Sequence, residues 1–293
     1  MTGRRTGKGV TVTQRDRRRL AGLTVAITGS SAGIGRETAR MLLDCGAAVV
    51  INGRDSRRLE GTRNNLSDGL SSPPLSAIAA DAATEEGAAL IVSHAIERWG
   101  RLDALVNNAG VSMRGRASDL RAAALDRLIH ANLRSAVLPT VAALPELTRN
   151  RGRILFVSTV AALHGFPGVS LYSATKGAVE RFAEGLAAEV GLAGVSVGTV
   201  FLGFVENDPD KTTLSAEGTP FRHERKATHS QEEAASHIVR ALARRTRRHI
   251  TIPAGRLLDL AHRLAPATVT RVLTGSKGGI HAVDAPDEAR NRG

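Results

Sequence analysis

The chain is poor in aromatic residues and in cysteine. Phe, Trp and Tyr make up 3% of its 293 residues, and Cys45 is the single cysteine. One cysteine excludes an intrachain disulfide framework and a metal site built from several thiolates, and no spacing of His, Asp and Glu suggests another metal site. The 42% apolar content therefore predicts a core made mainly of Ala, Val, Leu and Ile.

Long apolar runs are also missing, since no stretch approaches the roughly 20 residues of a membrane-spanning helix. The basic N-terminus is not followed by an apolar segment, which argues against a secretory signal. Its Arg-rich, acid-poor composition leaves a transit peptide as a lesser alternative. A single cysteine suggests a reducing compartment. We therefore predict a cytoplasmic protein and leave membrane association open.

Positive charge is in excess, and the formal net charge of the chain is +12. Residues 1–22 hold seven Lys and Arg residues against one acid, Asp16, and a second basic cluster lies within residues 240–248. Neither cluster is interleaved with aromatic side chains, so we expect no base-stacking surface and no nucleic-acid partner. Solvated charge and contact with anionic lipid are the remaining interpretations.

Short apolar runs alternate with segments of helical periodicity from residue 23 onward. This alternation predicts an α/β fold, a doubly wound parallel sheet with helices on both faces, in a single domain over residues 21–256. The predicted strands are Leu23–Thr28, Ala48–Asn52, Leu75–Ala79, Ala104–Asn107, Arg153–Ser158 and Val195–Phe201. The predicted helices are Gly33–Cys45, Arg57–Leu66, Glu85–Trp99, Asp119–Leu147 and Tyr172–Ala193.

Four segments fall outside this alternation. Residues 1–20 are predicted to be a disordered basic arm, and residues 274–293 a disordered tail. The polar residues 206–230 predict a long loop, with or without a short helix, that acts as a lid or is partly disordered. Residues 257–273 carry apolar residues at helical spacing beside basic ones. This amphipathic extension either caps the substrate pocket or a dimer, or makes peripheral contact with a membrane.

A glycine-rich turn joins the first predicted strand to the first predicted helix. Glycines let the backbone approach a phosphate, and the N-terminus of the helix offers unpaired N–H groups and partial positive charge. This position is typical of a dinucleotide site. The residues predicted to bind the cofactor here are Thr28, Gly29, Ser31, Gly33, Ile34 and Gly35.

The second predicted strand ends in Asn52-Gly53-Arg54-Asp55. An NAD-preferring site would place a carboxylate at position 53 for the ribose 2′-hydroxyl, whereas Arg54 can pair with a 2′-phosphate. We therefore predict NADP(H) in preference to NAD(H). A plain loop is the alternative, and Arg36 either adds to this positive charge or is an ordinary surface residue.

Tyr172 and Lys176 are four residues apart, so they share one face of a predicted helix. An ammonium ~4 Å from a phenol favours the phenolate by ~4 kcal/mol at an effective dielectric constant of ~20, although desolvation opposes this. A tyrosine with a lowered pKa suits proton transfer to a carbonyl oxygen as a hydride arrives. Alone, the spacing is common on helix surfaces.

Further residues give the pair its context: Thr28–Gly35, Asp81, Asn107-Asn108-Ala109-Gly110, Asn132, Thr159 and Tyr172-Ser-Ala-Thr-Lys176. This series resembles the motifs of the short-chain dehydrogenase/reductase family over residues 20–255. The resemblance implies a Rossmann-type sheet of about seven strands and hydride transfer between nicotinamide and a carbonyl or secondary alcohol. It also implies a homodimer or homotetramer, because the counterpart of the helix from Tyr172 packs against another subunit in relatives.

The resemblance also implies individual roles. Asp81 would contact the adenine. Asn132 would hold a water that links Lys176 to solvent, and Lys176 would bond the nicotinamide ribose. The positions that would lie beside the cofactor are Asn108, Ala109, Gly110, Gly203 and Val205.

Three positions depart from the family pattern. Thr159 stands where the family has a serine, and its methyl group restricts the side chain and crowds the site. Leu202-Gly203 replaces the usual Pro-Gly, and Asn207 lies where a threonine binds the carboxamide. His164 is either a pocket residue or a solvent-facing loop histidine.

Three functions stay open from the sequence. The protein is a carbonyl reductase on a lipophilic ketone, an alcohol dehydrogenase working in reverse, or a catalytically weak NADP(H)-binding sensor or scaffold. The presence of Asn132, Tyr172 and Lys176 favours the enzymes, whereas Thr159 keeps the sensor as an alternative.

Overall fold

The computed structural model describes residues 11–69, 71–223 and 227–275. The strands are β1 (Thr24–Ile27), β2 (Ala48–Gly53), β3 (Leu75–Ala79), β4 (Ala104–Asn107), β5 (Arg153–Thr159), β6 (Ser196–Leu202), β7 (Thr213–Leu214), β8 (Pro220–Phe221) and β9 (Arg248–Ile250). Seven of them form one parallel sheet in the order β3-β2-β1-β4-β5-β6-β9, and β7 and β8 form a separate antiparallel hairpin. The prediction of a doubly wound parallel sheet is confirmed.

Helices cover both faces of this sheet. They are α1 (Gln14–Arg18), α2 (Gly33–Asp44), α3 (Ser56–Ser67), α4 (Glu85–Trp99), α5 (Ala122–Leu128), α6 (Ser135–Arg149), α7 (Ser170–Val190), α8 (Gln231–Arg244), α9 (Pro253–Leu264) and α10 (Pro266–Gly275). Leu42 of α2 and Ile238 of α8 are buried on one face, and Ile91 of α4 and Leu147 of α6 on the other. The strands are apolar on both sides because each side meets a helix layer.

The order of the strands reverses between β1 and β4. The chain builds outward from β1 to β2 and β3, then returns to the centre and continues through β4, β5 and β6 in the other direction. At such a switch point the connections after the two central strands diverge and leave a crevice at the carboxyl edge of the sheet. The turn after Ile27 and the segment after Asn107 border this crevice.

Part of the N-terminal arm, predicted to be disordered over residues 1–20, is helical in the structure. Residues 14–18 form α1, and Asp16 and Thr13 cap its start reciprocally. Asp16 is 1% exposed, and its carboxylate accepts a 2.8 Å hydrogen bond from Arg244 Nε at the end of α8. That bond holds the pKa of Asp16 well below its usual range. An ion pair between residues 228 positions apart in the sequence therefore anchors this segment. The rest of the predicted arm, residues 1–10, and most of the predicted tail, residues 276–293, lie outside the described part of the chain.

The helix predicted over Asp119–Leu147 is interrupted. A π-helical turn, Ile129–Arg134, separates α5 from α6. Such turns add a residue to the helical ladder and frequently occur at functional sites. The polar loop 206–230 contains the β7–β8 hairpin, and Leu214 forms a β-bridge with Met113. No helix in the described ranges is long and apolar enough to cross a membrane.

Candidate active site

The glycine-rich turn is fastened to the segment that follows β4. Thr28 is fully buried, and its Oγ1 accepts hydrogen bonds from the backbone N–H groups of Asn108 and Ala109, both at 3.1 Å. The Asn108 amide donates in return to the carbonyl oxygens of Thr28 and Gly29. Gly29 has a φ of +62°, and a Cβ there would lie 2.7 Å from the Cα of Ala109. Glycine at this position is therefore required both by conformation and by space.

The start of α2 faces the crevice. Gly33 and Ile34 form the first helical positions, and the Gly33 N–H donates to Asp208 Oδ2 at 2.9 Å. Ser31 precedes them, and a Cβ at Gly53 would lie 2.9 Å from its side chain. A Cβ at Gly35 would lie 2.6 Å from the carbonyl oxygen of Gly29. The turn, the start of α2 and the end of β2 are thus in close contact.

Asn132, Gly110 and Lys176 meet behind the crevice. Asn132 is fully buried in the π-helical turn, and its side chain accepts from the Val111 N–H at 2.8 Å and donates to Thr175 Oγ1 at 3.1 Å. A Cβ at Gly110 would lie 2.9 Å from Asn132 Oδ1 and 3.1 Å from Lys176 Nζ. A side chain at position 110 would therefore collide with Asn132 Oδ1 and crowd Lys176 Nζ, so this position requires glycine.

Lys176 is buried, and its Nζ donates to the carbonyl oxygen of Val157 at 3.3 Å. Burial, with repulsion from Lys211, lowers the pKa of Lys176 to about 8. A lysine ammonium carries three N–H donors, and the described residues supply this one acceptor. The group can therefore hold further hydrogen-bond acceptors, such as hydroxyl groups.

Thr159 ends β5 and caps the short helical turn Val160–Ala162. Its Oγ1 accepts a 3.3 Å hydrogen bond from the Ala161 N–H, which leaves the hydroxyl hydrogen free to donate to another group. The turn packs against α7, whose first turn carries the half-buried Tyr172. Ser158 is 4% exposed with its Oγ buried, as expected for a strand residue pointing away from its neighbour.

Arg54 and Asp81 lie at the opposite end of the crevice. Arg54 is exposed directly after β2. Asp81 accepts hydrogen bonds from the Ala83 N–H at 3.0 Å and from His130 Nε2 at 3.1 Å. Burial opposes ionisation of Asp81, but these two bonds and the charge of Arg54 hold its pKa below the usual value. His130 was missed by the sequence reasoning, and so was Asp208, which reaches Gly33 across 175 residues of sequence.

The segment after β6 lies against the loop that precedes α8. A Cβ at Gly203 would lie 2.6 Å from Thr228 Oγ1, and Val205, 7% exposed, forms a β-bridge with His229. His164, in the loop after β5, contacts the ring of His262 on α9 at a centroid distance of 4.5 Å. The helix α9 therefore lies against the loop between β5 and α7.

A model of the short-chain dehydrogenase family matches residues 23–218 of this chain. The 11-beta-hydroxysteroid dehydrogenase A of Sesamum indicum is 32% identical over 253 residues, with 80% of this chain and 69% of the relative covered. The 3-oxoacyl-[acyl-carrier-protein] reductase FabG of Rickettsia bellii is 31% identical, with 79% of this chain and 93% of the relative covered. The chain belongs to the short-chain dehydrogenase family of oxidoreductases.

Solved structures agree with this assignment. The 3-ketoacyl-(acyl-carrier-protein) reductase of Brucella melitensis, complexed with NADH, matches with a TM-score of 0.61 and 28% identity over 68% of this chain and 87% of that chain. ElxO with NADP bound matches with a TM-score of 0.59 and 30% identity over 63% and 75%. The fold described above is thus shared with solved structures that include a known reductase.

Proposed function

We propose that this protein is an NADP(H)-dependent oxidoreductase that transfers a hydride between nicotinamide and a carbonyl or secondary alcohol. The observation that carries the proposal is the buried ammonium of Lys176, which has spare donors, beside Gly110 and Asn132 at the carboxyl edge of the sheet. Burying a charged group beside one neutral acceptor destabilises a fold. Such a group fits a site in which ligand hydroxyls complete its hydrogen bonds.

The chain offers a fitting set of groups for a nicotinamide dinucleotide. Relatives of known structure carry NADH or NADP, which supports a cofactor of this type. The tight turn and the N-terminus of α2 would hold its phosphates, and Lys176 would hold a ribose hydroxyl. Bound there, the nicotinamide would supply or accept the hydride. Further positions proposed to line the cofactor are Thr28, Gly29, Ser31, Gly33, Ile34, Gly35, Asn108, Ala109, Gly110, Gly203 and Val205.

The preference for the 2′-phosphorylated cofactor rests on the end of β2. Gly53 leaves no carboxylate at that position, and the exposed guanidinium of Arg54 lies next to it. A guanidinium can bind a phosphate through two parallel hydrogen bonds. Asp81, kept ionised, would accept from the adenine amino group, with His130 fixing the orientation of the carboxylate.

Tyr172, Thr159 and Lys176 would divide the proton transfer. The Thr159 hydroxyl donates to the substrate oxygen and polarises the carbonyl. The Tyr172 hydroxyl gives that oxygen its proton in reduction and takes it back in oxidation, and the charge of Lys176 stabilises the phenolate. The side-chain oxygen and the side-chain nitrogen of Asn132 each have a protein partner. A relay water would therefore bind the backbone of Asn132.

The test combines turnover with binding. We would measure NADPH and NADH oxidation against ketones and aldehydes, alcohol oxidation with the oxidised cofactors, and direct titration of each nucleotide. Tyr172→Phe is expected to lower kcat by about 10³-fold and to leave the Kd for NADPH unchanged. Tight NADPH binding without turnover in either direction would favour a sensor or scaffold. Failure to bind any of the nucleotides would refute the proposal.

We further propose a cytoplasmic location, a lipophilic substrate and contact with a membrane through the C-terminal helices. Leu257, Leu260 and Leu264 of α9 are 70%, 54% and 76% exposed, and Val272 of α10 is 64% exposed. Arg263 lies among them, so the surface combines apolar and basic groups. Two of the relatives are named as a hydroxysteroid dehydrogenase and a 3-oxoacyl-[acyl-carrier-protein] reductase. These names support the proposal of a lipophilic substrate.

Flotation with anionic vesicles tests the membrane contact. The full chain is expected to float, and a variant with serine at 257, 260 and 264 is expected to stay in the dense fraction. Equal behaviour of the two proteins would remove the proposal. We also propose a homodimer or homotetramer, in which α7 would pack against another subunit, as the family resemblance implies. Light scattering on the same samples tests this assembly.

A further inference from the structure

Asp208 places a carboxylate at the N-terminus of α2. Its Oδ2 accepts the Gly33 N–H at 2.9 Å. Its Oδ1 accepts from Gln231 Nε2 at 2.9 Å and lies 3.4 Å from a guanidinium nitrogen of Arg36. The Asp208 side chain is 17% exposed. One of the helix N–H groups available for a cofactor phosphate is therefore already paired with an anion of the protein.

The backbone on either side of Asp208 is fastened as well. Glu206 accepts from the backbone N–H of Gln231 at 2.9 Å, and the Glu206 N–H donates to the carbonyl oxygen of His229 at 3.1 Å. Asp210 forms an ion pair with Arg58 of α3 at 3.0 Å. We refer to residues 206–211 as the strap. The strap connects the start of α8, the start of α2 and α3 across the mouth of the crevice.

A carboxylate and a phosphate seek the same partners at a helix N-terminus. Both are anions that accept N–H hydrogen bonds and are stabilised by the partial positive charge of the helix. Two anions close together repel each other, most strongly where little water separates them. A phosphate that approaches Gly33 must therefore displace the Asp208 carboxylate or bind beside its negative charge.

We propose that Asp208 is an internal competitor of the cofactor, which occupies the phosphate position at the start of α2 and sets the affinity for the dinucleotide. This inference rests on the function proposed above. Binding then requires only Oδ2 of the Asp208 side chain to leave the Gly33 N–H, while Oδ1 stays with Gln231 and Arg36 and the backbone of the strap stays fastened. Without a phosphate at this position, the Gly33 N–H is paired with the chain itself.

The test compares two neighbouring carboxylates. Asp208→Asn keeps an oxygen that can accept the Gly33 N–H but removes the charge, and Asp210→Asn removes a charge of the same strap that faces Arg58. Isothermal titration with NADPH is expected to give a Kd about tenfold lower for Asp208→Asn, from the size of helix-terminus charge effects. The Kd of Asp210→Asn is expected to equal that of the unaltered protein.

Adenosine 2′-monophosphate separates the two ends of the site. It carries the adenine and the 2′-phosphate but no phosphate that reaches α2, so its Kd is expected to be equal in all three proteins. An NADPH Kd in Asp208→Asn that is unchanged or higher, with clear binding to the unaltered protein, would overturn the role of Asp208 alone. An equal gain in both variants would also overturn it, since general charge would then be the cause. Absence of NADPH binding in all three proteins would instead refute the proposed function.

Discussion

The two ends of the crevice are built differently. At the end proposed to be catalytic, Asn132 is fully buried and Lys176 is 7% exposed, and both are fixed by hydrogen bonds within the protein. At the end proposed to bind adenosine, Arg54 is exposed, and the side chains of Asp81 and His130 are 33% and 39% exposed. Buried groups are held in one geometry, whereas exposed charges act through a screened field. We therefore expect the catalytic end to govern rate and stability, and the adenosine end to govern the choice of cofactor.

The largest effect is expected at Lys176. Lys176→Met keeps the length of the side chain but removes the charge beside Tyr172, and kcat is expected to fall by about 10³-fold. Because burial lowers the pKa of Lys176 to about 8, the ammonium is destabilising in the folded state, and the variant is expected to resist urea better at pH 7.

The same substitution gives a signature in pH. Between pH 8 and the lysine reference value of 10.5, the unfolded chain binds more protons than the folded protein does, so the free energy of unfolding rises with pH in that window. Urea titrations at pH 8, 9 and 10 are expected to show this rise in the natural protein and its absence in Lys176→Met. A rise of the same size in both proteins would contradict the assignment to Lys176.

An intermediate effect is expected at Thr159. Thr159→Ala removes the hydroxyl that is free to donate, and kcat is expected to fall by about 10²-fold. Thr159→Ser keeps the hydroxyl without the methyl group and is expected to match or exceed the natural kcat. Loss of activity in both variants, with unchanged NADPH binding, would show that the methyl group itself is needed for packing.

The smallest effect is expected at Arg54. Arg54→Ala is expected to raise the Kd for NADPH about tenfold and leave the Kd for NADH unchanged, because the exposed ion pair with the 2′-phosphate is lost. The control is Arg57→Ala, an exposed arginine on α3. Equal losses in the two variants would attribute the effect to general positive charge. Raising the salt concentration is expected to reduce the difference between Arg54→Ala and the natural protein.

Local sequence carries much of the fold. Runs such as residues 48–51 of β2 are apolar throughout because a helix layer covers each side of the strand, and this pattern predicts a parallel sheet. The helix over Asp119–Leu147 was harder to predict, since the π-helical turn that inserts Asn132 leaves the apolar periodicity of its flanks almost unchanged. The N-terminal helix α1 is anchored by the Asp16–Arg244 ion pair, which no local sequence pattern predicts.

The sequence by itself determined the order of strands and helices, the glycine-rich turn and the spacing of Tyr172 and Lys176, because these depend on contacts between near neighbours in the chain. The tertiary structure alone decided which distant groups meet. Asp208 contacts Gly33, His130 contacts Asp81, and Gly110 leaves room for the side chains of Asn132 and Lys176. Periodicity encodes which face of an element is buried, whereas pairings across the sheet edge arise only when the crossover connections bring separate loops to the same crevice.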